Sequence, residues 1–165
     1  MNDRSDDSDP RYQALVELLR TADSLWNASR TFFEPWDLGP SQFNVLNLLH
    51  ANPEGRSQTE LGRQLIMHRS NITGLVDRLE RRGLVERKDA AADRRAYRVV
   101  LSPAGNRLMQ EILPQYYAGA IRIWEGITPK RATELVSLLR QVARNAERIA
   151  RSNSAQRTAE GKPAT

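Results

Sequence analysis

The sequence predicts a mainly α-helical fold with one small β-hairpin, an α+β class. Apolar residues recur at i, i+3, i+4 and i+7 near the centre of the chain, which indicates a helix with one buried face. Apolar and polar residues alternate over residues 97–102, as in a half-buried strand. Further helical stripes run along both ends of the chain. The central stripe consists of Ile72, Leu75, Val76 and Leu79.

The composition is typical of a folded chain of ordinary size, and the chain is basic. Its 165 residues are 39% hydrophobic and 27% charged, and they carry a net charge of +5. Eight basic and four acidic residues fall within residues 78–98, inside the expected folded region. This concentration of positive charge favours a polyanionic partner.

Cysteine and histidine usage limits the chemistry of the chain. There is no cysteine and there are two histidines, so disulfides and thiol sensors are excluded and a metal site is not expected. We expect no cofactor. The start of the chain is acidic, unlike a secretory signal, and no apolar run reaches the ~18–20 residues of a membrane span. A cytoplasmic protein without a membrane partner is therefore expected.

The first half of the chain is expected to contain three helices. Residues 1–10 are acidic and polar and are interpreted as a disordered tail. Amphipathic patterns predict helices over residues 11–34 and 41–50. A capping box then opens a short helix, with Ser57 at the N-cap and Glu60 at the third helical position.

The second half contains the central helix, the hairpin and two more helices. Gly83 fits the C-terminal cap of the central helix, and a hairpin loop is expected over residues 88–95. The last helix carries an apolar stripe, and residues 152–165 are interpreted as a second disordered tail.

A bracing helix, a helix with a polar outer face and a hairpin follow one another in the order of a winged helix-turn-helix. Sequence-specific reading of duplex DNA is therefore the leading hypothesis.

The central helix presents short polar side chains opposite its apolar stripe. A helix in the ~12 Å wide major groove reads base edges with such groups. Gly74 costs roughly 1 kcal/mol relative to alanine, and a close approach of the helix to DNA would explain it. A solvated face with an incidental glycine is the alternative. The outward or lateral positions are Arg69, Ser70, Asn71, Thr73, Gly74, Asp77 and Arg78.

The hairpin loop is interpreted as the wing. Arg94 or Arg95 at its tip would enter the minor groove, where negative potential attracts guanidinium groups. Asp93 would pair with a neighbouring arginine and fix its direction. A charged hairpin that protects an edge strand from aggregation is the alternative. Four other cationic residues are expected to contact phosphate or water rather than base edges: Arg81, Arg82, Arg87 and Lys88.

These motifs resemble the MarR family of bacterial transcription regulators. The similarity is strongest over residues 69–85 and in the Asp-Arg-Arg-Ala segment at 93–96. It extends to residues 39–46, to Thr-Glu-Leu-Gly at 59–62 and to the strand-to-helix junction at Leu101-Ser102 with Gly105, and it covers about residues 11–150.

The resemblance implies specific DNA contacts. Arg94 would be the residue at the wing tip, with Asp93 and Arg95 as a supporting pair. Ser57 and Thr59 would contact phosphate. His68 replaces the small residue expected at this junction, and it would cap the helix or meet a phosphate. The major-groove contacts would be Arg69, Ser70, Asn71, Thr73, Gly74 and Arg78.

The resemblance also implies a homodimer in which the terminal helices of two chains intertwine. This agrees with the apolar stripes of these helices, while a compact helical monomer is the alternative. Residues 11–38 and 103–151 would form the dimerisation region, and residues 39–102 the DNA-binding lobe. A twofold dimer would bind a pseudo-palindromic operator with half-sites about 10 bp apart.

Members of the family commonly respond to small, often aromatic, ligands, so a repressor released by such an effector is implied. The candidate lining residues of its pocket are Trp26, Phe32, Phe33 and Trp36. A role of these aromatics in the core or the dimer interface is the interpretation we favour. The absence of cysteine excludes the thiol-oxidising branch of the family.

Two other classes of function compete with this hypothesis. One is a winged-helix protein-interaction module that does not read DNA, which an acidic central helix or a wing without arginines would have favoured. The other is an enzyme. No phosphate-binding glycine motif occurs, and neither histidine has a nucleophile or acid partner by spacing, so catalysis is not expected.

Overall fold

The computed structural model describes residues 9–65, 69–90 and 93–160, and it has the predicted mainly helical class with one hairpin. A 3-10 turn (Glu34–Trp36) separates the first two helices. The elements in chain order are α1 (Pro10–Phe33), α2 (Pro40–His50), α3 (Gln58–Gln64), α4 (Arg69–Arg81), β1 (Val85–Ala90), β2 (Asp93–Leu101), α5 (Pro103–Ile123) and α6 (Pro129–Glu160).

The chain divides into two compact units, Met1–Leu113 and Pro114–Thr165. The boundary lies inside α5, whereas the sequence suggested boundaries after residues 38 and 102. Side-chain packing at both ends of residues 39–102 explains why the observed boundary differs from the expected ones. Phe33 at the end of α1 stacks on Phe43 of α2 with ring centroids 4.3 Å apart, and Met109 in the first half of α5 is fully buried. The apolar core of the first unit therefore also includes some residues, such as Phe33 and Met109, that were expected in the helical dimerisation region.

The central stripe of α4 faces the core of the first unit, as predicted. Ile72, Val76 and Leu79 have no exposed surface, and Leu75 is 5% exposed. Leu61 of α3 is equally buried, so the short helix α3 packs through its apolar side. Burial on this scale fixes the rotation of α4 and determines which of its residues face outward.

The hairpin packs beside the start of α5. Strands β1 and β2 are antiparallel, with Val85 opposite Leu101. Ser102 caps α5 through its Oγ, which accepts a hydrogen bond from Gly105 N at 2.9 Å. A Cβ on Gly105 would lie 2.0 Å from the carbonyl oxygen of Leu84, so only glycine permits this approach.

The C-terminal helix is longer than the sequence suggested. Helix α6 runs from Pro129 to Glu160, so the expected disordered tail over residues 152–165 is wrong for residues 152–160. Residues 161–165 and most of the expected N-terminal tail, residues 1–8, lie outside the described residues. The polar composition of residues 152–160 gives no apolar stripe that would indicate a helix. The helix can nevertheless continue, because no glycine or proline interrupts the sequence before Gly161.

Large apolar side chains are exposed along the terminal helices of a single chain. In the first unit, Leu19 on α1 is 63% exposed, and in the second unit Ile121 on α5 is 73% exposed. The last helix exposes Leu135, Leu138, Leu139, Val142 and Ile149. Across the described ranges, each helix is too short or too polar to span a membrane.

Candidate nucleic-acid interface

Helix α4 presents a polar face opposite its buried stripe. Asn71 and Arg78 are exposed, and Thr73 and Gly74 are half-buried at the side of the helix. Arg69 and Ser70 form the first turn of α4. The positions predicted to contact the major groove are therefore all on one helix, whose rotation is fixed by its apolar residues.

Gly74 lies at a place where a larger residue would fit within the protein. A Cβ added there would meet Arg78 Nη1 at 3.7 Å, which is an ordinary contact. The helix thus carries a glycine that is not required by its own packing, although glycine lowers helix stability.

Thr73 contacts the bracing helix α3. Its Oγ1 donates a hydrogen bond to Gln58 Oε1 at 3.0 Å, and Gln58 is 7% exposed. Sequence reasoning missed Gln58, because a polar residue at the first position of a short helix is normally exposed and no periodic signal singles it out.

Arg87 of β1 connects the hairpin to α4. Its guanidinium donates hydrogen bonds to the carboxylates of Asp77 and Glu80, and it lies over the ring of Tyr97 with Cζ 5.2 Å from the centroid. The hydrogen bond to Asp77 is the main cause that raises the pKa of Arg87, ahead of the Coulomb attraction of Glu80. These three contacts lie within the protein, and the expected contact of Arg87 with phosphate or water stays a prediction.

Arg82 also contacts other residues of the first unit. Its Nη2 donates to the carbonyl oxygen of Trp36 at 3.0 Å, and it forms an ion pair with Asp37 at 3.6 Å. The end of α4 is therefore connected to the turn after α1, and the expected phosphate or water contact of Arg82 stays a prediction.

The wing is more strand-like than the sequence suggested. Asp93, Arg94 and Arg95 were expected in a loop, but they belong to β2, which begins at Asp93. The register changes from Asp89 opposite Tyr97 to Ala90 opposite Asp93, so residues 94–96 are additional residues on the β2 side of this irregularity. The tip itself, residues 91–92, lies outside the described residues.

The start of α3 has the predicted capping box. Ser57 Oγ accepts a hydrogen bond from Glu60 N at 3.2 Å, and Glu60 Oε2 accepts one from Ser57 N at 2.7 Å. These contacts lower the pKa of Glu60, with the Ser57 backbone N–H as the largest cause. The Ser57 hydroxyl already has partners, while Thr59 is exposed. His68, the third expected phosphate contact, lies outside the described residues.

Three of the four aromatic candidates for a ligand pocket, Phe32, Phe33 and Trp36, contact one another, whereas Trp26 lines a cavity that they do not border. Phe33 is 1% exposed in the core, and Phe32 packs edge-to-face on it at 5.0 Å. Trp36 Nε1 donates to Glu111 Oε1 at 2.7 Å. Trp26 lines a cavity of about 540 Å³ together with Arg30, Leu38, Leu75 and Arg78, and the other three aromatics do not line it.

Metal binding has no support in the described ranges. No group of three or more histidine, cysteine, aspartate or glutamate side chains is placed there to hold an ion.

Comparisons with known proteins agree with the arrangement of α3, α4 and the hairpin. Residues 36–96 match the model of the MarR family. The chain is 27% identical over 110 residues to the uncharacterized HTH-type transcriptional regulator YkoM of Bacillus subtilis (strain 168), covering 67% of this chain and 71% of that protein.

Two solved structures of CouR have the same fold. The transcriptional repressor CouR bound to a 23-mer DNA duplex is 28% identical with a TM-score of 0.72, covering 87% of this chain and 98% of that one. CouR from Rhodococcus jostii RHA1 bound to p-coumaroyl-CoA is 27% identical with a TM-score of 0.72, covering 86% and 96%.

Proposed function

Because the chain belongs to the MarR family of transcription regulators, we propose that it is a homodimer that binds a pseudo-palindromic DNA operator and is released by a small effector. The observation that carries this proposal is the arrangement of α4. Its apolar stripe is buried, its polar face with Asn71 and Arg78 is exposed, and a basic hairpin follows directly. A reading helix beside a wing requires these parts.

The major-groove contacts are assigned to the outward side of α4. Asn71 can read adenine with both ends of its amide, and an arginine such as Arg78 can read guanine. Gly74 allows the backbone of α4 to approach the base edges. The complete proposed set is Arg69, Ser70, Asn71, Thr73, Gly74 and Arg78.

The wing and the start of α3 would supply the remaining contacts. Arg94 would enter the minor groove, with Asp93 and Arg95 holding its direction. Thr59 is exposed and fits a phosphate contact, whereas the Ser57 hydroxyl would have to share its capping partners. His68 stays a proposed cap or phosphate contact.

A second copy of the chain would cover the exposed apolar residues of the terminal helices. Isolated apolar residues are common on surfaces, but these recur at helical spacing along α6 over several turns. Twofold symmetry of the dimer would place two copies of α4 in successive major grooves about 10 bp apart.

The cavity beside Trp26 is the proposed effector site. Its volume of about 540 Å³ suits a small molecule, and it combines an aromatic side chain with polar and charged groups. It is bordered by Leu75 and Arg78 of α4, so occupation of this cavity would favour one position of the reading helix over another. Phe33 belongs to the core, and it is not part of this proposed site.

Binding to DNA from the upstream intergenic region of its own gene tests the proposal. Purified protein would be mixed with the fluorescent fragment and excess random DNA at several salt concentrations. Binding that resists the competitor is expected from a sequence-specific regulator. Complete removal of the protein by random DNA would instead favour a winged-helix protein-interaction module.

The family consists of regulators, so we infer that the chain acts by binding rather than by catalysis. A regulator of this type would act on chromosomal DNA in the cytoplasm.

A further inference from the structure

Gln58 is a buried polar residue between the two helices of the helix-turn-helix. It is the first residue of α3, is 7% exposed, and accepts a hydrogen bond from Thr73 of α4. Its amide Nε2 is buried and has no hydrogen-bond partner in the part of the chain that the structure describes. A buried donor without a partner lowers stability, so stability alone does not account for a glutamine at this position.

The contact from Gln58 selects a side-chain conformation of Thr73. A helical threonine divides between two χ1 rotamers, since its hydroxyl can also bond a carbonyl of the preceding turn. Acceptance by Gln58 Oε1 turns the hydroxyl of Thr73 toward α3. With the hydroxyl engaged by Gln58, the γ-methyl group would be available to the DNA groove, where threonine methyl groups contact the C5-methyl of thymine.

We propose that Gln58 is a positioning residue for sequence recognition, which turns Thr73 so that its methyl group reads one thymine in each half-site. The inference rests on the proposed DNA-binding function and adds a specificity determinant outside the reading helix. Gln58 needs no DNA contact of its own for this role, since it acts on base recognition through the rotamer of Thr73.

Selection of DNA by the full-length protein provides the test. Wild type and variants each select duplexes from a randomised library, and the base preference at every position is read by sequencing. Gln58→Met keeps the length of the side chain and removes the acceptor. It is expected to weaken the preference for one thymine per half-site about tenfold, on the order of one misread base pair, with other positions unchanged.

Substitutions of Thr73 separate its methyl group from its hydroxyl. Thr73→Val keeps a methyl group and has one strongly preferred helical rotamer, so it should retain the thymine preference, also together with Gln58→Met. Thr73→Ser keeps the hydroxyl and lacks the methyl group, so it should lose the preference. Gln58→Met is expected to leave Tm unchanged or raise it, because it removes the buried unpartnered donor.

Three results would overturn the inference. One is a Gln58→Met protein that selects the wild-type sequences, and another is a Thr73→Ser protein that keeps the thymine preference. The third is an equal weakening of all positions with a lower Tm, which would give Gln58 a structural role only. If the wild type enriches no sequence, the proposed function itself fails, and this result is distinct from the other three.

Discussion

The guanidinium group of Arg87 on β1 binds the carboxylate of Asp77 on α4, and this ion pair joins the wing to the reading helix. The same group also binds Glu80 and lies over Tyr97. One cation therefore neutralises two acidic residues of the helix that is proposed to approach DNA phosphates. Several contacts to one planar group also limit the angle between helix and hairpin.

Arg87→Met is expected to lower the free energy of unfolding by about 1–2 kcal/mol, since it removes two partly exposed ion pairs and a cation–π contact. DNA binding should weaken as well, because two carboxylates of α4 lose their counter-charge. Urea unfolding and DNA titration measure the two effects. Lys88→Met, an exposed change on the same strand, is the control for stability. Equal unfolding free energies for the two variants would refute the connecting role of Arg87.

Gly74→Ala is expected to change stability and DNA affinity in opposite directions. The added Cβ fits within the protein, so the variant should be more stable by roughly 0.5–1 kcal/mol. DNA affinity should fall, because the methyl group would prevent the close approach of the α4 backbone. Gly119→Ala, whose Cβ meets no atom of the same chain within 4 Å, is the helical control for the stability effect. Unchanged affinity of Gly74→Ala would show that the glycine is incidental.

Glu60→Gln should destabilise the protein at neutral pH and have no effect in acid. The pKa of Glu60 is below its ordinary value of 4.5 in the folded chain, so its ionised form stabilises the fold. This contribution is present above the unfolded pKa and is lost as the pH falls through the folded pKa. With a loss of about 1 kcal/mol at pH 7, typical of a helix cap, the Tm values of wild type and variant should converge on acidification. A difference independent of pH would contradict a role of the charge.

Asn71→Ala and Arg94→Ala should weaken DNA binding in different ways. Asn71 is assigned to base edges, so its loss should reduce the ratio of operator to random DNA affinity. Arg94 is assigned to the minor groove, so its loss should weaken both affinities and reduce the salt dependence. Titrations with both DNAs at several salt concentrations measure these effects. An equal loss of both affinities for Asn71→Ala would contradict the assignment of Asn71 to base edges.

Local signals with a fixed spacing were predictable from sequence, whereas polar contacts between different elements were not. The stripe from Ile72 to Leu79 and the Ser57 capping box are local signals with a fixed spacing, and both are present. Arg87 and Gln58 contact residues on other elements, so no local spacing indicates their partners. The strands β1 and β2 extend into the loop expected over residues 88–95, because the shift in register between Asp89 and Ala90 has no local sequence signal.

Val142→Asp is expected to dissociate the dimer. Val142 belongs to the apolar stripe of α6 and is 46% exposed in a single chain. A carboxylate buried in an apolar interface without a partner costs several kcal/mol, which exceeds what a local adjustment can recover. Sedimentation measures the mass. Ser137→Asp, an exposed change at another angle around α6, should remain dimeric. A dimeric Val142→Asp protein would place the interface elsewhere.

Footprinting of the protein on DNA that it has selected tests the central claim most directly. A homodimer with one α4 in each half-site predicts two protected segments on one face of the duplex, about 10 bp apart, with two chains per site. The Arg94→Ala protein should lose protection in the adjacent minor grooves. One protected segment with a single bound chain, or uniform protection without boundaries, would contradict the account.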